Sequence, residues 1–219
     1  MATLWERDAF GRLRRHPKVA VAVADDGLAV RFDLALPREL QRALEEVPIV
    51  GSSLQAILET YREIIEPYGR VESSGGPSYV FSREIGSVPS SDLEIVTSSD
   101  TVSPSLFAGR PEAWWEPGEW SDLLSGRLGP WAFGMINGAV AAICHTPVGS
   151  ALAAEAGVWT HPEARGRGYA TAVTAAWAAV ACQRFETLFY STSFDNVASQ
   201  SVARKLGLAP IGTIWQLNR

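Results

Sequence analysis

Apolar positions recur along this chain with two different periods, and the changes of period mark its elements. Residues 19–24 and 28–34 are apolar-rich runs separated by Asp25, Asp26 and Gly27. Asp-Gly between two such runs predicts a hairpin, because both residues tolerate the backbone of a tight turn. Residues 37–47 follow with proline at the start, where a helix has no use for an N–H. After Ser52 and Ser53, either of which can cap a helix, Leu54, Ile57, Leu58, Tyr61, Ile64 and Ile65 recur at helical spacing. Pro67 and Gly69 end that pattern. Residues 4–15 also read as a helix. The N-terminal region is therefore small and mixed α/β.

Residues 72–77 (Glu-Ser-Ser-Gly-Gly-Pro) read as a linker, dividing the chain into 1–77 and 78–219. Beyond it, 78–82 and 93–97 read as short strands and 110–127 as one or two short helices. Three strand-like runs follow: 131–136, 139–145 and 153–160. Asn137-Gly138 joins the first two, a pair suited to a turn with positive φ at both positions. From Gly168 the period becomes helical. Residues 170–184 are alanine-rich, with Val173, Ala176, Trp177 and Val180 on one face. Residues 187–192 then read as a buried strand, 193–206 as a helix ended by Gly207, and 211–217 as a last strand. A helix between two strands implies a parallel crossover, so the predicted fold is α/β (α+β) with a mixed sheet.

Composition narrows the classes. The chain has 219 residues, 47% hydrophobic and 20% charged, with a formal charge of -5. That is the balance of a globular protein large enough to bury its own core. The one basic cluster, Arg12, Arg14, Arg15 and Lys18, is short and reads as a solvated helix face, so no nucleic-acid partner is expected. No apolar run approaches the roughly 20 residues that span a bilayer, and residues 1–10 do not resemble a signal peptide. No membrane partner and a cytoplasmic location are the expectations. Cys144 and Cys182 show no metal-ligand spacing and read as buried free thiols, and no metal is expected. Trp114, Trp115, Trp120 and Trp131 lie close together in sequence and read first as core, second as a cleft wall.

The chemistry concentrates in residues 158–171. A strand ends, the chain turns at His161-Pro162, a loop with Arg165, Gly166, Arg167 and Gly168 follows, and a helix starts. Glycines let backbone approach an anion, and the free N–H groups of a helix's first turn point at it. This is a pyrophosphate cradle. A P-loop would require Gly-Lys-Ser/Thr, which is absent. A dinucleotide fingerprint would require glycine or alanine where Thr171 stands, and a different preceding fold; Glu186 alone lies at a tolerable distance for its ribose-binding acid.

Residues 165–170 match the R/Q-x-x-G-x-G/A signature of the GNAT acetyltransferases, which this chain resembles over about 78–219. Residues 155–160 resemble the fourth strand of that fold, 168–171 the start of its pyrophosphate helix, and Asn196 to Ser199 with the following residues its last helix. The N-x-x-S form resembles the branch containing ribosomal-protein N-terminal acetyltransferases. The resemblance implies a GNAT fold with a small α/β N-terminal extension, acetyl-CoA as co-substrate, and direct attack by an acceptor amine. It implies that Val158, Trp159 and Thr160 hold the pantetheine arm through backbone near Val158 and Thr160. Arg165, Gly166, Arg167, Gly168, Tyr169, Ala170 and Thr171 would form the phosphate site, with Asn196 and Ser199 touching the cofactor. Asn196 equally suits a helix cap, and Thr171 the start of its helix.

A substrate ammonium of pKa near 10 requires a base. Glu155 is the first candidate, against a structural role for the same carboxylate; His145 and His161 are weaker, the latter reading as a loop residue. The tyrosine that protonates the leaving thiolate in many relatives falls, by counting from Gly207, on Ala203. Ser199 or Tyr190 could stand in. The acceptor is expected to be a small-molecule amine, such as a polyamine or aminoglycoside, or a peptide N-terminus. Homodimerisation is left open. The competing class is a non-catalytic acyl-CoA-binding sensor.

Overall fold

The computed structural model describes residues 18–33, 36–82, 86, 88, 92–101, 106 and 108–218. The helix expected over 4–15, with Arg12, Arg14 and Arg15 of the basic cluster, lies outside the described residues. The chain divides into two compact units. One contains the described residues of 16–78, 192–196 and 211–219, the other those of 79–191 and 197–210.

In the first unit, β1 (Val19–Ala24) and β2 (Gly27–Phe32) form the expected hairpin, paired from Val19↔Phe32 to Ala24↔Gly27. The other edge of β1 pairs antiparallel with β9 (Ala209–Asn218). Helix α1 (Arg38–Glu45) starts behind Pro37, and α2 (Leu54–Ile65) is capped by the Ser53 hydroxyl, which accepts from the Ala56 N–H. Their apolar faces bury Leu40, Leu44, Ile57, Tyr61 and Ile65 against Val19, Val21 and Leu217.

Residues 72–77 are not a linker. They lie in β3 (Glu72–Val80). The glycines serve close packing: a Cβ on Gly76 would sit 1.8 Å from the Thr192 carbonyl oxygen, and one on Gly75 would sit 2.4 Å from the Trp215 ring. Only the hydrogen side chain leaves room for those neighbours.

In the second unit the strands lie in the order β8-β7-β6-β5-β4. They are β4 (Glu94–Thr97), β5 (Trp131–Ile136), β6 (Ala139–Gly149), β7 (Ala153–Thr160) and β8 (Thr187–Ser191). Pairing is antiparallel from β4 to β7 and parallel between β7 and β8. Asn137 (φ 49°) and Gly138 (φ 79°) make the predicted positive-φ turn. Helix α3 (Pro117–Leu124) opens with a capping box between Glu116 and Glu119. Helix α4 (Tyr169–Ala181) carries the parallel crossover between β7 and β8. It packs Ala172, Val173, Trp177 and Ala178 with Ala142, Cys144, Ala154 and Ala156 of β6 and β7. Ile143 and Trp159, of opposite strand parity, instead join Trp120, Trp131 and Phe133 in a separate cluster. Helix α5 (Val197–Lys205) starts later than the expected residue 193 because residues 194–195 form a turn.

Of the two cysteines, Cys144 is buried and hydrogen-bonded with Thr174, while burial pushes its thiol pKa up. Cys182 is exposed, contrary to expectation. It lies just past the last turn of α4, beside exposed Gln183 and Arg184.

Candidate functional site

The site is built around a strand that loses its neighbour. On one edge, β7 is paired with β6 along most of its length, including Ile143↔Trp159 and Cys144↔Val158. On the other, its register with β8 runs only from Ala153↔Thr187 to Glu155↔Phe189. The His161 N–H donates to the Ala141 carbonyl at 2.9 Å. Alternation along an antiparallel ladder then directs the backbone groups of Gly157 and Trp159 into β6, and those of Val158 and Thr160 away from it. Val158 and Thr160 thus present backbone groups on the edge beyond the last β8 pair. Trp159 does not: its backbone belongs to the β6 ladder, and only its side chain is available for contacts elsewhere.

The glycine loop follows directly. His161 Nδ1 accepts from the Glu163 N–H at 3.4 Å and caps a short 3-10 turn, Pro162–Ala164, consistent with a loop role. Gly166 (φ 79°) and Gly168 (φ 84°) are both left-handed, a conformation that costs glycine little. Gly168 is the N-cap of α4. The N–H groups of Tyr169 and Ala170 have no acceptor within the helix, whereas that of Thr171 donates to the Gly168 carbonyl at 3.0 Å. Arg165 and Arg167 are exposed, and Arg165 Nε donates to the Thr160 carbonyl at 3.4 Å. The side chains of Tyr169 and Thr171 are buried, and the Tyr169 hydroxyl donates to the Asp92 carboxylate. These two residues therefore offer the loop backbone rather than side chains.

Strand parity sorts the candidate acid–base groups. Glu155 shares a face of the sheet with Gly157 and Trp159. It is half-buried, and burial raises its pKa against the opposing effect of hydrogen bonds from the Ser191 hydroxyl and N–H. Ser191 carries no spacing signal in the sequence; it reaches Glu155 because β8 lies parallel beside β7. Tyr190 and Ser199 are brought together on the opposite face. Tyr190 is buried, its pKa pushed up to about 12 chiefly by burial, and its hydroxyl is hydrogen-bonded with that of Ser199. Ala203 is fully buried one helical turn further along α5, on the same face as Ser199. Asn196 is exposed and immediately precedes α5, the capping position.

The tryptophans divide as well. Trp120 and Trp131 are core, whereas Trp114 is 53% exposed. Trp115 packs edge-on against His145 with ring centroids 5.1 Å apart, and Trp114 lies 6.2 Å from Trp159. Burial lowers the His145 pKa to about 4, against a weaker opposing hydrogen bond with the Gly157 backbone. Among the described residues no group of three or more His, Cys, Asp or Glu could hold a metal ion, and no helix is long and apolar enough to cross a membrane.

Residues 111–209 match the family model described as Acetyltransferase (GNAT) domain. No curated protein matches the chain. Among solved structures, a GNAT-family protein from Novosphingobium aromaticivorans is 23% identical with a TM-score of 0.50; the match covers 68% of this chain and 66% of that one, just under two thirds. A Drosophila protein is 16% identical with a TM-score of 0.56, covering 94% and 77%. An acetyltransferase from the GNAT family of Colwellia psychrerythraea is 18% identical with a TM-score of 0.50, covering 100% and 85%. At these identities the likeness is one of fold.

Proposed function

We propose that this chain, whose residues 111–209 match the GNAT acetyltransferase domain, moves an acetyl group from acetyl-CoA to a primary amine by direct attack. One observation carries the reading: the edge of β7 at Val158 and Thr160, beyond its last pair with β8, leads within a few residues into a left-handed glycine loop and the N-terminus of α4. An extended chain with amide groups fits along such an edge, and a pyrophosphate fits at its end. Val158 and Thr160 bind the pantetheine arm, and an N–H there polarises the thioester carbonyl. Such a donor contributes roughly 3 kcal/mol when aimed at a developing oxyanion. Gly166, Gly168, Tyr169 and Ala170 hold the phosphates by backbone, with Arg165 and Arg167 adding charge.

Glu155 is the base. Its raised pKa brings it closer to that of an amine, which favours proton transfer near neutrality. On the leaving side, the paired hydroxyls of Tyr190 and Ser199 protonate the thiolate, with Ser199 donating and Tyr190 behind it. Ala203 motivates the competing reading, a sensor that binds acetyl-CoA without turnover, since it stands where many relatives have the acidic tyrosine.

The test is calorimetric titration of acetyl-CoA into the wild type and Gly168→Glu, followed by thiol release across a panel of amines. Binding lost in the variant, with release on some amine, is the expected result. Binding without release on any amine selects the sensor. Absence of binding overturns the cofactor site.

A further inference from the structure

Five buried side-chain nitrogen or oxygen atoms lack a hydrogen-bond partner among the described residues, and four of them are in one place. They are Nε1 of Trp115, Trp131 and Trp159, and Nδ1 of His145. Register and packing bring them together: Trp131 pairs with His145 across β5 and β6, Trp115 packs on His145, and Trp159, paired with Ile143 across β6 and β7, packs against the same hydrophobic cluster as Trp115. A buried unpartnered donor costs about 1–3 kcal/mol, and native proteins keep few of them. By contrast, the indoles of Trp120 and Trp177 donate to carbonyl oxygens at 3.0 Å. Those are structural tryptophans, and Trp131 is core with them; Trp115, His145 and Trp159 are only partly buried, and their orphan atoms mark a place that something else completes.

Three of the four atoms are indole N–H groups, which only donate. Their complement is an acceptor, and a polycation consisting of ammonium and methylene groups has none. His145 is neutral at physiological pH because burial disfavours its charged form. Arg110 is held by Glu112 and the Trp115 carbonyl. Among the described residues, the guanidinium beside Trp115 is thus already paired and does not balance a carboxylate ligand. Glu155 lies two residues from Gly157 on the same strand face, roughly 7 Å along β7, so an amine at Glu155 can carry a body that reaches the rings.

We infer that the acceptor is a small primary amine on a flat or apolar body bearing a neutral oxygen, seated between Glu155 and the cluster of Trp115, His145 and Trp159. The inference rests on the acetyltransferase reading and names the acceptor class of that same site. It favours an arylalkylamine with a hydroxyl or carbonyl over the polyamines and aminoglycosides that net charge alone suggests. The rings supply stacking and cation–π attraction, and the orphan N–H groups select for the oxygen.

The test compares tyramine, 2-phenylethylamine, spermidine and a short peptide by thiol release, and follows tyramine binding by tryptophan fluorescence without acetyl-CoA. Tyramine should have the lowest KM, about tenfold below 2-phenylethylamine, which lacks the oxygen; spermidine should be at least a hundredfold poorer in kcat/KM. Trp115→Phe, which retains a ring but loses the N–H, should raise the tyramine KM about tenfold and that of 2-phenylethylamine, which has no oxygen for the N–H to hold, by far less. A melting curve confirms that the variant is folded. Turnover of spermidine or the peptide in preference to tyramine overturns the inference and leaves the acetyltransferase reading standing. Tyramine binding without acetyl-CoA binding does the reverse. An equal effect of Trp115→Phe on both KM values reduces the tryptophan to a structural role and also overturns the inference.

Discussion

At the scale of single residues, the contrast between Glu155 and His145 shows how one sheet face sets two titrations. Both are shifted first by burial, which disfavours charge, and so they move in opposite directions. For Glu155 the expected consequence is kinetic. The kcat/KM profile should rise with pH through an apparent pKa above the ordinary carboxylate range. Ser191→Ala removes a hydrogen bond that favours the ionised form and should move that limb to still higher pH. Glu155→Gln should cost about 10²- to 10⁴-fold in kcat/KM, the usual effect of losing a base; a loss under tenfold would reduce Glu155 to a structural carboxylate. For His145 the consequence is stability. Its folded pKa near 4 lies below the unfolded value near 6.5, so the unfolded chain binds more protons between those values. Stability should fall as pH drops through that window, by about 3 kcal/mol at most from this one group. His145→Phe should flatten that part of the melting-temperature profile. The Tyr190–Ser199 pair predicts non-additivity: Tyr190→Phe and Ser199→Ala should slow turnover by similar factors, and the double variant little further.

At the scale of elements, glycine patterns carried two meanings that look alike in one dimension. Gly166 and Gly168 were legible as turn positions, because glycines spaced by arginine between a strand and a helix mark a change of direction, and both are left-handed. Gly75 and Gly76 were misleading. Their string resembles a linker, yet they sit in β3 because neighbouring groups press against them. Gly76→Ala should therefore destabilise the protein by about 3 kcal/mol, the upper range for forced overpacking. Gly118→Ala provides the control: it lies in α3 with nothing within 4 Å, and should raise stability by up to about 1 kcal/mol. Urea midpoints of the two variants decide the matter. The later start of α5 has a similar origin, since Ser, Asp and Asn suit a turn as well as a cap.

For the molecule as a whole, acetyl-CoA at a hundred times its dissociation constant should add about 2.7 kcal/mol to the stability of the folded protein, and Gly168→Glu should remove that increment; a wild type whose melting point ignores the ligand would refute the cofactor site. The sequence by itself determined what local chemistry dictates. Two-residue and 3.6-residue periods located the hairpins and helices, positive-φ residues located turns, and the Arg-Gly-Arg-Gly run ahead of an alanine-rich stretch located the loop between β7 and α4. Tertiary structure decided everything that depends on residues distant in the chain. It set where β7 and β8 part and hence that Val158 and Thr160 rather than Trp159 present backbone on that edge. It joined Ser191 to Glu155 and Tyr190 to Ser199, and it gathered three tryptophans and a histidine into one face with unpartnered nitrogens. Periodicity records which face of its own element a residue occupies; register between strands, which no single segment encodes, decides what that face meets.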